Sequence, residues 1–339
     1  MELGFEAAKG AAEKVLGVKL PIFMRMVLPG LLATAVLYRQ TAWALAHLPG
    51  DADRSWMRLV GYGVLVLVTG ALISTLNSEI YKIYEGRILW PRALRAWATA
   101  IQQNRVDRLL KATRDESLSD EEYAEIWYQL RVYPTGDKGE QTATHPTRIG
   151  NILAGYEQYP LNRYDMDSVF YWPRIWLQMD KDKKEEIDGQ WSVADGFLTL
   201  SAIAVLGGGL WIVQALLAAF GLSTRGLPLS SALWAALAGF VWFVLGYGWY
   251  RLSLPFHREN GEVFKSVFDL YRDKVWSMTS LKSREKEAWE AAWLYLQYHL
   301  LKCPNCGQQT KAALDSCQNC GFGLAEWKRQ FRDSGQFPE

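Results

Sequence analysis

The sequence predicts an all-α integral membrane protein, in which two transmembrane helical hairpins flank a helical cytoplasmic domain and a small zinc ribbon lies near the C-terminus. Three observations predict this fold class. Half of the 339 residues are apolar and 16 are Trp, a composition that fits a chain lying partly in a membrane. Long stretches without a charged residue recur along the chain. All four cysteines stand in two C-x-x-C pairs, which is typical of a metal site and not of a disulfide framework.

Four membrane spans are predicted. An α-helix needs about 20 residues to cross a bilayer. Three uncharged stretches are long enough or nearly so, at 59–76, 196–222 and 229–250. The stretch 21–48 is longer, but it carries Arg25 at one end and the pair Arg39 and Gln40 inside. We count it as the first span, because three spans would leave the two large soluble parts on opposite sides of the membrane.

The unequal links between the spans divide the chain into segments. Two links are tight turns, whereas the link between the second and third spans is long enough to be a domain. The first residues carry acids and lack an uninterrupted apolar core, which argues against a secretory signal. The predicted segments are an amphipathic lead at 1–20, hairpin 1 with its extension at 21–90, a helical domain at 91–190, hairpin 2 at 191–254, a helical pair at 255–300, a zinc ribbon at 301–325 and a tail at 326–339.

Basic residues at the span ends indicate the orientation. They precede the first span and follow the second and fourth, at Lys9, Lys14, Lys19, Arg25, Arg87, Arg92, Arg95, Arg251 and Arg258. The positive-inside rule therefore places both termini and the central domain in the cytoplasm. The paired cysteines point to the same reducing compartment. The predicted location is the cytoplasmic membrane, which the chain crosses several times.

Local signals in the soluble segments predict helices. Ser119 and Glu122 form a capping box that opens a helix toward Leu130. Asp165 and Asp167 precede an apolar run and are interpreted as helix caps. Further helices are expected to begin at Thr147 and near Ser168, and to cover Glu259–Met278 and Ser283–Leu300.

The cysteines predict one structural metal site. Two C-x-x-C-G knuckles, Cys303 with Cys306 and Cys317 with Cys320, supply four thiolates for a tetrahedral ion. Zinc is expected, with a rubredoxin-like iron site as the alternative. Four thiolates close the coordination shell, so the ion has no open position for water or substrate. The ribbon either stabilises a small tail or docks a partner.

A polar layer inside the membrane is predicted from Arg39, Gln40 and Gln214. A guanidinium within a span costs at least about 2.5 kcal/mol and normally finds a partner or a wet cavity. No predicted span carries a carboxylate at the depth of Arg39. Arg39 therefore either reaches the outer headgroups, with the two glutamines joining helices, or lines a cationic pore in an oligomer that favours anions.

The sequence gives no positive case for an enzyme. The run GDKGEQT lacks the spacing of a phosphate-binding loop, and no G-x-S-x-G or H-E-x-x-H motif is present. Asp165 and Asp167 do not face each other on a helix. His145 and His257 have no metal-ligand spacing to another His.

One segment carries a family resemblance. The run HPTRIGNILAGYEQYPLNRYDMDSVFYWPRIW, followed after the last predicted span by VFDLYR, resembles a pattern in uncharacterised bacterial integral membrane proteins with four spans. The resemblance implies the same layout of hairpin, cytoplasmic block and hairpin, in a bacterial inner membrane, and carries no activity. It assigns structural roles to motif residues on two facing elements, Thr147, Arg148, Gly150 and Asn151 on one and Tyr271 and Arg272 on the other.

Two functions follow as hypotheses. The first is a membrane scaffold or adaptor, in which a helical platform and the zinc ribbon recruit a cytoplasmic protein. The second is an oligomeric anion channel lined by Arg39 and Gln40 of the first hairpin. Expected partners are membrane lipids, a second copy of the chain or a cytoplasmic protein. Nucleic acid is not expected, because acidic residues dilute the basic ones around the ribbon.

Overall fold

The computed structural model describes residues 19–37, 55–115, 117–136, 140–164, 166–220, 229–279, 300–311 and 314–325. The chain forms two compact units, 1–270 and 271–339. The described helices are α1 (Leu20–Val36), α2 (Ser55–Thr75), α3 (Asn77–Glu85), α4 (Arg92–Ala112), α5 (Asp120–Leu130), α6 (Arg148–Tyr164), α7 (Ser168–Gln178), α8 (Lys181–Ala219) and α9 (Leu229–Thr279). Two short strands follow, β1 (Leu300–Lys302) and β2 (Gln309–Lys311). The helical body and its C-terminal four-cysteine cluster confirm this part of the predicted fold class.

Two of the described helices, α8 and α9, are long and apolar enough to cross a membrane. Helices α2 and α3 are bent by 51° relative to each other and make a third candidate if they count as one span. Helix α1 is apolar but shorter, and it contains one π-helical turn at Phe23–Val27. The rest of the predicted first span lies outside the described residues, so four spans stay a prediction.

Glycines bring α1 and α2 into backbone contact. A Cβ atom on Gly30 would overlap the carbonyl group of Val66, and a Cβ atom on Gly70 would overlap the carbonyl group of Met26. Each helix therefore uses one glycine to admit the backbone of the other. Close packing of this kind is how helices associate inside a membrane, where no hydrophobic driving force separates protein from lipid.

Small residues also bring α8 and α9 together. A Cβ atom on Gly208 would lie 3.0 Å from the carbonyl oxygen of Gly239. The Ser201 hydroxyl donates a hydrogen bond of 2.7 Å to the carbonyl oxygen of Gly246. These contacts hold the two long helices side by side along their apolar parts.

Both long helices extend beyond their predicted membrane segments. Helix α8 begins at Lys181, ahead of the predicted hairpin boundary at residue 191, and α9 continues through Pro255 to Thr279. Hydropathy shows where the apolar surface of a helix ends. The helix itself continues, because each backbone N–H bonds a carbonyl oxygen of the same helix whether the side chains around it are apolar or polar. Each long helix is therefore continuous from its apolar segment into its polar segment.

The block between α3 and α7 packs on both long helices. Its core joins α3, α4, α5 and α6 to both long helices, through Ile80, Val106, Leu130, Ile149, Ile152, Leu198 and Leu254. The predicted capping box is confirmed at the start of α5, where the Ser119 hydroxyl accepts from the Glu122 N–H and the Glu122 carboxylate accepts from the Ser119 N–H. Asp167 caps α7 as predicted, with a bond of 2.8 Å from the Phe170 N–H.

In the second unit, β1 and β2 pair antiparallel, with Leu300 opposite Lys311 and Lys302 opposite Gln309. The first cysteine knuckle lies in the connection between these strands. Of the helix predicted for Ser283–Leu300, only Leu300 is described, and it begins β1.

Candidate functional sites

The two cysteine knuckles have the same backbone geometry. Gly307 and Gly321 have φ angles of +71° and +72°, in the left-handed region that favours glycine. In each knuckle the glycine N–H donates a bond of 2.9 Å to the carbonyl oxygen of the first cysteine, Cys303 or Cys317. The glycine after each C-x-x-C pair therefore closes the tight turn that the sequence predicts.

The four sulfur atoms form one cluster that could hold a metal ion. All four Sγ atoms lie within 4.8 Å of one another, with Cys303 at 3.6 Å from Cys320 and Cys306 at 3.7 Å from Cys317. A tetrahedral ion with metal–sulfur bonds of about 2.3 Å needs sulfur atoms about 3.8 Å apart. The spacing fits such an ion, and the donor set suits either zinc or iron.

Two asparagines link the knuckles in a reciprocal way. The Asn305 amide donates to Cys320 Sγ at 3.6 Å, and the Asn319 amide donates to Cys306 Sγ at 3.8 Å. The Phe322 N–H and the Asn305 amide lower the pKa of the Cys320 thiol to about 6. Sequence reasoning missed these two asparagines. The signal that could have shown them is that Asn stands at the third position of both C-x-x-C pairs.

The sulfur cluster cannot easily carry four negative charges by itself. Burial raises the pKa of the Cys303 thiol to about 11, opposite to the shift at Cys320. The directions differ because burial dominates at Cys303, whereas hydrogen bonds from the Phe322 N–H and the Asn305 amide dominate at Cys320. Thiols this close together also compete for the same protons. A divalent cation would remove this competition, since metal binding displaces the thiol protons.

The motif that begins at Thr147 joins the start of α6 to the end of α3. The Thr147 hydroxyl accepts a bond of 3.0 Å from the Gly150 N–H, which caps α6, and donates to the carbonyl oxygen of Tyr84 in α3. A Cβ atom on Gly150 would lie 2.7 Å from the Cβ atom of His145. Only glycine lets the preceding loop approach this closely.

Asn151 fixes that preceding loop. Its side chain is 1% exposed. Its amide donates to the carbonyl oxygens of His145 at 2.8 Å and Thr147 at 2.7 Å, and its oxygen accepts from the N–H groups of Thr144 at 2.9 Å and His145 at 3.0 Å. One buried side chain therefore bonds four backbone groups before and at the start of α6, of which the Thr147 carbonyl oxygen also accepts from the Asn151 N–H at 3.2 Å.

The other motif residues are Arg148, at the start of α6, and Tyr271 and Arg272, near the end of α9. The Arg148 side chain lines a cleft that it shares with Arg105 and Arg258. Tyr271 is buried and Arg272 lies 3.7 Å from Asp273, both near the end of α9. That Tyr271 and Arg272 lie opposite the helix that begins after Thr147 stays a prediction.

An ion-pair network connects α1 with α8. Arg25 donates from Nε to Asp195 at 2.7 Å and from a terminal nitrogen to Asp188 at 2.6 Å. The Tyr81 hydroxyl of α3 donates to the other oxygen of Asp195 at 2.6 Å. Sequence reasoning used Arg25 only as an orientation signal. Asp188 and Asp195 are about two helical turns apart and so lie on one face of α8, and this spacing could have predicted that they share a basic partner.

His257 lies beside this network without a hydrogen bond to its Nε2 atom from the described residues. The residue is 1% exposed, and its ring lies edge-on to the Tyr81 ring with centroids 5.6 Å apart. The Tyr81 hydroxyl is already bound to Asp195. His257 of α9 therefore lies where α3 and α8 are joined by the bond between Tyr81 and Asp195.

The predicted intramembrane layer is not brought together within the described residues. Arg39 and Gln40 lie outside them, and Gln214 is exposed on α8. The two alternatives for Arg39 therefore stay predictions.

The comparisons with known proteins give no family. The chain matches no protein-family model, no curated protein and no solved structure. The resemblance to bacterial four-span membrane proteins accordingly stays a prediction.

Proposed function

We propose that this chain is a multi-pass adaptor of the cytoplasmic membrane, in which a helical platform and a zinc ribbon recruit a cytoplasmic protein. The observation that carries the proposal is the cluster of four sulfur atoms in the C-terminal unit. With four protein ligands an ion there has no open coordination site, so its role is to fold a small surface. The helical body has a hydrophobic core of its own and does not need this surface to fold, which leaves the surface free to bind a partner.

The membrane arrangement is part of the same proposal. Helices α8 and α9 form one hairpin, and α1 with α2 and α3 forms the other. The backbone contacts at Gly30 and Gly70 support the first hairpin, and those at Gly208 and Gly239 support the second. The basic residues at the span ends support a cytoplasmic location for the platform.

A cysteine-labelling experiment tests this arrangement. All four native cysteines lie at or after Cys303, so replacing them by Ser gives a full-length background without thiols. A single cysteine at Gly50 is expected to react with an impermeant maleimide from outside the cell, and one at Gly136 only after lysis. Labelling of both positions from the same side would contradict the topology.

The recruiting role is tested with the metal site intact or broken. Cross-linked partners of the wild-type chain would be compared with those of Cys306→Ser, which removes one ligand, and of Gln308→Ala, an exposed neighbour that holds no ligand. A deletion from Lys302 onward gives a third comparison. We expect a partner to be lost in Cys306→Ser and in the deletion and kept in Gln308→Ala. Identical partners in all four samples would remove the recruiting role.

A further inference from the structure

Three arginines from three different helices line one cleft in the helical body. Arg105 lies in α4, Arg148 is the first residue of α6, and Arg258 lies in α9. The cleft is partly open to solvent, and the enclosed space between its walls is about that of one water molecule, so a larger ligand would lie at its open side. Its remaining lining consists of Gln129, Val132, Tyr133 and Ile152.

The positive charges in this cleft are not balanced by carboxylates. No lining residue is acidic. In the part of the chain that the structure describes, none of the three arginines lies within 4.0 Å of a carboxylate oxygen. The nearby carboxylates are engaged elsewhere, since Glu125 accepts from Gln129 at 3.1 Å and Glu262 lies 3.1 Å from Lys265 and 3.8 Å from Arg131.

Arg258 gives the clearest sign of a missing partner. Its Nε atom is shielded from solvent and has no hydrogen-bond acceptor among the described residues. Its guanidinium lies 5.7 Å from the centre of the Tyr128 ring, a cation–π contact that does not occupy an N–H donor. A buried donor on a charged group is costly when it is unpaired, which indicates that an acceptor completes the site.

We propose that this cleft binds a phosphate group, carried by a lipid headgroup or free in solution. Guanidinium groups bind phosphate through paired N–H donors, and three of them approaching from three helices suit a tetrahedral dianion better than a flat carboxylate. Arg148 stands at the N-terminus of α6, where the helix dipole also favours an anion. Gln129 at the wall of the cleft is already engaged, since its side-chain oxygen accepts from Arg105 at 3.2 Å and its amide donates to Glu125 at 3.1 Å.

The position of the cleft leaves both sources open. Arg258 follows the predicted inner end of the last span, Tyr250, by eight residues of continuous helix. At a rise of about 1.5 Å per residue the cleft lies about 12 Å beyond the hydrocarbon core. The polar headgroup region is about 5 to 8 Å thick on each side, so a phosphorylated inositol headgroup or a soluble phosphate reaches the cleft more easily than the phosphate of a simple lipid.

The experiment uses the full-length protein in nanodiscs and two probes. Inorganic phosphate is titrated calorimetrically into nanodiscs of neutral phosphatidylcholine. Separately, native mass spectrometry counts phosphatidylinositol phosphate molecules retained from mixed nanodiscs. The variant is Arg258→Gln, and the matched control is Arg108→Gln, an exposed arginine of α4 outside the cleft whose Nε atom donates to the carbonyl oxygen of Asn104. Loss of one guanidinium is expected to weaken binding about tenfold or more.

Each outcome decides the proposal. Tenfold weaker phosphate binding by Arg258→Gln, with Arg108→Gln like the wild type, supports a free-phosphate site. The same difference seen only with the lipid supports a headgroup site. Equal behaviour of the two variants with both probes, or no binding by the wild type, overturns the proposal. If Arg258→Gln lowers the melting temperature strongly, Arg148→Gln repeats the test from the half-buried edge of the cleft.

Discussion

Replacing Asp195 by Ala is expected to destabilise the helical body much more than replacing Asp188 by Ala, although both carboxylates bind the same guanidinium. Asp195 accepts from Arg25 at 2.7 Å and from Tyr81 at 2.6 Å, and its side chain is 12% exposed. Asp188 accepts from Arg25 alone, at 2.6 Å, and its side chain is 44% exposed. The two bonds to Arg25 have nearly equal lengths, so burial and the additional Tyr81 bond separate the two carboxylates.

The magnitudes follow from these differences. A hydrogen bond to a charged group contributes about 1.5 to 3 kcal/mol, and removing one partner of a buried pair costs about 3 to 5 kcal/mol. Because Arg25 keeps Asp188 and is itself 28% exposed, we expect Asp195→Ala to lower the free energy of unfolding by about 3 kcal/mol. The Asp188 pair is screened by solvent, so Asp188→Ala is expected to cost about 0.5 to 1 kcal/mol.

The free energy of unfolding would be measured by titrating sodium dodecyl sulfate into mixed micelles and following circular dichroism. An Arg25→Gln background gives an internal check, because there Asp195→Ala loses only the bond from Tyr81 and its cost should fall to about 1 to 2 kcal/mol. A cost for Asp188→Ala equal to that for Asp195→Ala would refute the burial argument. An Asp195→Ala cost unaffected by Arg25→Gln would refute the pairing itself.

Four further results are expected. Asn151→Ala removes the partner of three backbone groups, the N–H groups of Thr144 and His145 and the carbonyl oxygen of His145, and should lower the free energy of unfolding by about 3 kcal/mol. Burial, followed by nearby arginine charges, lowers the pKa of His145, so the folded state favours its neutral form. Stability should therefore be complete above pH about 6.5 and fall as the pH drops below it, measured as melting temperature against pH. Cys306→Ser should reduce bound metal from one ion per chain to none, measured by elemental mass spectrometry after dialysis. Gly70→Leu forces a side chain into the carbonyl group of Met26 and should cost about 3 kcal/mol of unfolding free energy.

Matched variants control these four measurements. Asn104→Ala, on the exposed side of α4, should change the unfolding free energy by less than about 0.5 kcal/mol. His145→Gln should flatten the pH profile, and an unchanged profile would show that another group titrates. Metal retained by Cys306→Ser as fully as by Gln308→Ala would contradict the four-sulfur site. A Cβ atom on Gly63 meets nothing within 4 Å, so Gly63→Leu should be tolerated, and a cost equal to that of Gly70→Leu would contradict the close packing of α1 on α2.

Features that depend on a short run of sequence were predictable. The capping box at Ser119 and the cap at Asp167 involve residues three apart, and their geometry follows once a helix begins. The cysteine knuckles are likewise local, because a C-x-x-C-G turn presents both sulfur atoms from one loop. Hydropathy alone identified the apolar parts of α8 and α9.

The lengths and rotations of the helices were less accessible. A predicted boundary at residue 191 falls within α8, which already runs as helix from Lys181. Composition changes at the edge of an apolar surface, whereas a helix ends only where its backbone hydrogen bonds are interrupted or capped. Which face of the helix meets its neighbour depends on packing along its whole length.

The sequence by itself determined the helical class, the caps at Ser119 and Asp167 and the four cysteines of the candidate metal site, because each depends on residues that are near one another along the chain. Only the tertiary structure decided that Arg25 of α1 meets Asp195 of α8, that Asn151 holds the loop before α6, and that Arg148 and Arg258 line the same cleft. Arg25 and Asp195 are separated by 170 positions. Such pairs form because buried charges and backbone groups must find partners, and the packed helices settle which partners lie within reach.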